Sequence, residues 1–504
     1  VCSSDLPDTL TLQPTHTGVD ATEPPIVLPR FDDVDINIDG KLDESVWSRV
    51  PSYNNMSVID PDTLQKPVHD THIHFLYTDR GLYVAVRAEQ PADKLVARLS
   101  SRDDSINRDG VSLTLDSSGE GLYGQWFGIN VGGSVIDGKV LPEAEFSRQW
   151  DGPWTGNAVP TEYGYSAEMF LPWSMMSMPD AGEARRMGFY ISRKVAYLNE
   201  RWGWPALPLT ASRFMSALQP VELRGVNPRQ QITLYPFTSA TYDVLADDSD
   251  YRTGVDVFWR PSSNLQFAAT LLPDFGTVES DDVVVNLTSF ETFFPEKRLF
   301  FLEGSEIFET SPRSNVLARL SSSSSSSGGR QTASDFNPTP TTLLNTRRIG
   351  GPAVDPDLPG SIAINDVDLG KPTDLHGAVK LTGQMGPVRF GVLGAFEDDP
   401  EFVGTDVLGN VYQIVQEGRD FGAVRFLYES VTGSRQSLGW MSTAVVHGAG
   451  DAFVHGLDGH YLSESGEWKV DGQLIASDAH GVEGYGGFGD IVYVPRREIG
   501  RAHV

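Results

Sequence analysis

Between Val34 and about Glu222, apolar and polar residues alternate in short runs bounded by turn formers. Thr71–Tyr77, Gly81–Ala88, Gly110–Leu115, Trp126–Val131, Gly164–Phe170 and Gly188–Arg193 read as strands, because successive strand side chains face opposite ways. Thr78-Asp-Arg-Gly81, Asp116-Ser-Ser-Gly119 and Gly132-Gly133 stand between them as turns. Short strands punctuated in this way predict a β-sandwich. One short helix is expected at Leu42–Arg49, with Asp39 or Asp43 as its cap.

From Pro228 onward the runs lengthen and alternate more strictly. The strands expected are Gln231–Tyr242, Arg252–Trp259, Asn264–Leu272, Leu375–Thr382, Val388–Phe396, Phe421–Tyr428, Ser437–Val446, Ala452–Leu462 and Gly466–Ser477. Several are about 10 residues long, enough for a tilted strand to cross a bilayer. Ser434–Gly450 sets Leu438, Trp440 and Val445 among small and polar residues, as a strand with one lipid face would. Ser321–Ser327, seven serines before Gly328-Gly329, reads as a loop. No repeat of fixed period is visible.

The segment Val285–Gly304 sets five Phe among Glu291, Glu296, Lys297, Arg298 and Glu303. A water-soluble core rarely mixes rings and charges so densely, since an unpaired buried charge is very costly. A barrel surface with lipid outside and a polar lumen inside would accept both. The charged residues are then expected to pair in the lumen as a structural network, joined by Arg347 and Arg348.

Composition narrows the picture. The chain is 39% hydrophobic and carries 50 Gly and 32 Pro, which favours turns over long helices. No run of about 18 apolar residues exists, so a transmembrane helix is excluded, whereas a barrel is not. A net charge of −29 argues against nucleic acid as a partner. Val1–Leu6 and Glu498–Val504 match what the two strands of a sequencing adapter encode, and are expected not to belong to the protein. On that reading the chain is truncated at both ends, with its signal peptide lost. The only cysteine, Cys2, lies in that scar, so disulfides and cysteine chemistry are excluded. The expected division is adapter artefact at 1–6 and 498–504, a Pro- and Thr-rich linker at 7–30, a sandwich at 31–224, and a barrel portion at 228–497. The fold class is all-β: a β-sandwich followed by an antiparallel outer-membrane β-barrel, cut short by the fragment end.

Candidate chemistry is sparse. Asp35, Asn37 and Asp39 fit the first half of a calcium loop, but its twelfth position is Val46 where a Glu is needed. Val34, Ile36 and Ile38 alternate with them as a half-buried strand would. His72 and His74 share one strand face and could bind a metal or haem iron, yet no further ligand follows at diagnostic spacing. No cofactor is expected. Tryptophans concentrate before residue 205, and most suit a sandwich core. Gln149-Trp-Asp-Gly-Pro-Trp154 is loop-like, so Trp150 and Trp154 are candidates to stack on a sugar ring, with Asp151 to take its hydroxyls. No catalytic motif is present.

Pro273-Asp274-Phe275, Val278-Glu279, Asp281, Asn286-Leu287, Phe293 to Arg298 and Phe300 to Gly304 resemble the defining motif of a bacterial outer-membrane family known as domain of unknown function 5916. Leu272, Gly276-Thr277, Ser280 and Leu299 depart from it, and Arg347-Arg348-Ile349-Gly350 resembles a later family motif. Ile38-Asp-Gly-Lys-Leu-Asp-Glu-Ser-Val-Trp47 resembles the opening of family 9 carbohydrate-binding modules. Leu82–Val86, Arg102-Asp103, Asp109, Asn130 and Trp154 occur where those modules carry similar residues. The resemblances imply glycan capture at the outer membrane of a Gram-negative bacterium, linked to polysaccharide breakdown. The partners would be an oligo- or polysaccharide and outer-membrane lipid. A hydrolase of O-glycosyl bonds and a structural barrel braced by a non-binding sandwich are the alternatives.

Overall fold

The protein is described by a computed structural model that covers 24–493 apart from 33, 103–105, 143–144, 149, 177, 179–183, 210, 212, 227–230, 244–247, 263, 275–293, 295, 312–340, 361 and 432. Both adapter-like ends, Asp103, Gln149, Glu291 and the serine run lie outside the described residues.

Two sheets form the first half. One is nine-stranded, with Ala184–Val195 at its centre between Gly110–Asp116 and Gln219–Arg224. The other has four strands in the order Thr71–Tyr77, Gly81–Glu89, Gly164–Pro172, Thr155–Thr161. Ile73, Phe75, Val84, Val86, Leu113, Phe127, Ile191 and Trp202 point between them and make the main core. This is sheet-on-sheet packing, with the alternate residues facing out. The expected helix at Leu42–Arg49 is corrected: only a single turn forms, at Trp47–Arg49, with no side-chain cap. Asp39 is occupied by the Lys41 amide instead, and Trp47 is drawn inward to Glu168, so the segment lies as a cover over Leu76, Tyr83 and Ala85.

The second half is a ten-stranded antiparallel sheet running from Gln231–Asp243 to Val482–Tyr493. The nine expected strands are all in it, most of them longer than the alternation alone implied. Its polarity is the reverse of the sandwich. Phe426, Trp440, Leu457 and Leu474 lie side by side in one cross-strand row and all face outward, with Leu474 67% exposed. On the opposite face Lys380, Arg425, Glu429, Asp458 and Asp471 are buried, and Arg425 is 1% exposed. Among the described residues the two outermost strands do not pair with each other, so the sheet is open.

The charged face is covered from inside. Leu299–Leu302 is a helical turn and Ser305–Phe308 a second one, joined by Gly304 at φ 70°, where a side chain would be strained. Phe300, Phe301, Ile307 and Phe308 pack with Ile349 against Ala378, Leu393 and Met441 of the sheet. The described part of the Phe-rich segment is therefore an inner plug, where the sequence suggested barrel surface. Its backbone forms local turns, and its rings face inward beside charges: the Lys380 ammonium lies 5.0 Å from the centre of the Phe300 ring.

Candidate functional site

The loop that carries the candidate sugar-stacking residues lies where sandwich, plug and sheet meet. Trp150 and Trp154 are only 7% and 9% exposed, and both indoles pack edge-on against Phe127, with ring centres 6.1 and 5.4 Å away. Edge-to-face packing on a buried ring is favourable in itself, and it leaves neither indole an open face. The turn is fixed by Asp137, whose buried carboxylate accepts from the Gly152 amide at 2.7 Å. Asp151 stays exposed and pairs with Arg102 Nε at 2.7 Å, so it is the member of the trio that a solvent ligand reaches.

Trp150 also looks across the seam. Its Nε1 donates to Glu303 Oε2 at 3.2 Å, while Arg260 Nη2 donates to Glu303 Oε1 at 2.6 Å. Burial alone would raise the Glu303 pKa, but Lys139 and Arg260 outweigh it and hold the carboxyl down at about 2. One turn on, Glu306 accepts from Lys139 of the sandwich at 2.8 Å. Tyr123 donates to Glu429 at 3.1 Å, and the Arg389 guanidinium lies 3.7 Å from its ring centre. Gln384 donates to Glu120 at 2.6 Å. The seam thus joins three parts of the chain through charge-assisted hydrogen bonds.

Deeper in the plug, Glu296 accepts from Arg298 Nε and Nη2 at 2.8 and 2.7 Å and from the Thr346 hydroxyl at 2.6 Å. Arg298 also donates to the carbonyls of Thr346 and Ile349, which ties the plug to the Arg347-Arg348 turn. Lys297 is half-buried beside them, its amide donating to Glu296. Glu303 stands apart from this cluster, in the seam. Reading the sequence alone missed Tyr123, Lys139, Glu306 and Arg389. A usable signal was present for one of them: Glu306 is a further carboxylate close to Glu296 and Glu303 in the same short charged segment.

The remaining candidates have local roles. Asp39 accepts from the Lys41 amide and Glu44 from the Asn37 amide, so the calcium-like residues cap their own turn. His72 meets Ser52 at 3.2 Å, and His74 is half-buried with its Nδ1 unpartnered. Among the described residues no three His, Cys, Asp or Glu side chains are grouped as a metal ion would need. Glu168 is enclosed beneath the opening motif, accepting from Trp47 Nε1 at 2.9 Å and the Gly40 amide at 3.0 Å. Burial, reinforced by Glu44, pushes its carboxyl up to about 7.

A family model described as a domain of unknown function (DUF5916) matches residues 228–355, the stretch that contains the plug. The carbohydrate-binding module family 9 of Caldicellulosiruptor kristjanssonii in complex with cellotriose is similar at 14% identity, covering 40% of this chain and 94% of that one, with a TM-score of 0.29. The same module in complex with glucose gives 15% identity over 41% of this chain and 100% of that one, also at 0.29. No curated protein matches.

Proposed function

We propose that the protein is a carbohydrate-binding protein of the bacterial outer membrane. In this reading the ten-stranded sheet is barrel wall, and the sandwich seated on its polar side captures glycan at the cell envelope for polysaccharide breakdown. The observation that carries the membrane half is the inverted sheet: large apolar side chains point out across every central strand while arginine, lysine and carboxylates are buried. In water such a face exposes far more contiguous apolar area than a monomer normally leaves open. In lipid it is the stable arrangement, provided the sheet closes, because lipid cannot satisfy open strand edges.

The carbohydrate half is supported by the two-sheet sandwich and by the Ile38–Trp47 motif resembling family 9 modules. Asp151 and Arg102 offer hydroxyl-binding groups at the loop, and Trp150 forms its inner wall. The test is to fractionate cells producing the full chain and run the purified protein by affinity electrophoresis against soluble polysaccharides, assaying reducing ends. Recovery with the outer membrane and retardation without new ends is expected. New ends would make the protein a glycoside hydrolase; neither retardation nor new ends from folded protein would leave a structural brace.

A further inference from the structure

The seam between sandwich and sheet encloses a half-open cavity of about 140 Å³. Its walls carry three carboxylates, Glu120, Glu303 and Glu306, and three bases, Lys139, Arg260 and Arg389. Lys139 pairs with Glu306 at 2.8 Å and Arg260 with Glu303 at 2.6 Å, so the groups are fixed in place by their partners and the wall has no net charge. An ion entering would find no net charge to hold it, whereas a neutral ligand rich in hydroxyls would find both donors and acceptors in the wall. Trp150 and Trp173 add apolar wall beside the paired charges, Trp150 by its edge. A cavity of about 150 Å³ holds a benzene ring in a well-studied engineered case, so the half-open space here would take the ring of a sugar and leave its outer hydroxyls at the mouth.

We propose that this cavity is the carbohydrate subsite, taking one neutral pyranose unit between the sandwich and the sheet. The inference rests on the carbohydrate reading of the sandwich and deepens it: the ligand is held against the inner side of the loop, where Trp150 presents an edge to the cavity, and both halves of the chain contribute contacts. It also explains why Trp150 can be buried in a sugar-binding sandwich. A site built from both halves would be lost when either is removed, so the sandwich alone should bind poorly.

A cysteine in the wall tests it on the full chain. Cys2→Ser removes the chain's one existing thiol, and Thr382→Cys places one on the sheet side of the cavity, with Gln384→Cys as a second probe on the same strand. The probes are glucose, cellotriose and whichever soluble polysaccharide retards the parent protein. At saturation by the sugar that binds, maleimide labelling should slow about tenfold, the factor expected when about nine-tenths of sites are filled. The labelled protein should no longer be retarded. An unchanged labelling rate, or retardation of the labelled protein, overturns the cavity assignment while the carbohydrate reading stands. A folded parent retarded by no polysaccharide overturns that reading and the cavity with it.

Discussion

The two halves of this chain use one secondary structure and opposite rules of burial. In the sandwich, Ile73, Phe127 and Trp202 are inside, and even on the other face Leu76, Tyr83 and Ala85 are covered by the chain. In the ten-stranded sheet, Arg425, Asp458 and Lys380 are inside while Leu438, Leu457 and Leu474 are outside. Strand alternation is the same in both, so what differs is which set of side chains is buried. Apolar side chains turned outward in registered rows are what the proposed membrane reading accounts for, since lipid rather than water would then be that face's solvent.

The largest expected effect is in the sandwich. Phe127→Ala removes the ring on which Trp150 and Trp154 both rest and should cost about 3–5 kcal/mol, read by denaturant unfolding. Arg425→Ala leaves Asp458 buried without its guanidinium, and should cost a similar 3–5 kcal/mol or so in detergent. The double change Arg425→Met with Asp458→Leu should recover part of that loss, because the buried carboxylate is gone while His460 keeps Asp471 as its partner. Leu474→Arg sharpens the comparison: in lipid it should cost about 2–4 kcal/mol, whereas a water-facing leucine would tolerate it. Trp150→Phe keeps the packing on Phe127 and loses only the hydrogen bond to Glu303, for about 1.5–3 kcal/mol, since the acceptor is charged.

The smallest effect is one of pH. Glu168 titrates near 7 in the fold, above its unfolded value. As pH rises through the ordinary carboxylate range, the unfolded chain loses this proton while the folded sandwich keeps it, so stability falls until about pH 7 and then levels. Glu168→Gln should flatten that slope in a melting series across pH. A slope unchanged by the substitution would remove Glu168 as its cause.

Much of the fold was legible because alternation reports faces directly. Thr71–Tyr77 and Ala452–Leu462 have the very ends their pattern suggests. Val482–Tyr493 escaped because its Gly484, Gly486, Gly487 and Gly489 blur the alternation, although backbone pairing needs no side chain. The small sheet of Ile362–Ile364, Glu401–Asp406 and Val411–Val415 was missed as well, its strands being too short to show a period. The site was less legible. The Gly152-Pro153 loop drew attention to Trp150 and Trp154, but sequence cannot show that Phe127 lies behind them. Tyr123 and Lys139 lie far from Arg389 in the chain, and the three acquire meaning only when the seam brings them together.

The central claim is that the outer face of the sheet is made for lipid. Spin labels placed singly at Ser437, Leu438, Trp440 and Leu474 of vesicle-reconstituted protein would test it through their accessibility to oxygen and to a water-soluble nickel complex. The account predicts high oxygen and low nickel accessibility at Leu438, Trp440 and Leu474, and neither at Ser437. Nickel accessibility at the three outward positions in folded, reconstituted protein would mean that they face water, and would contradict it.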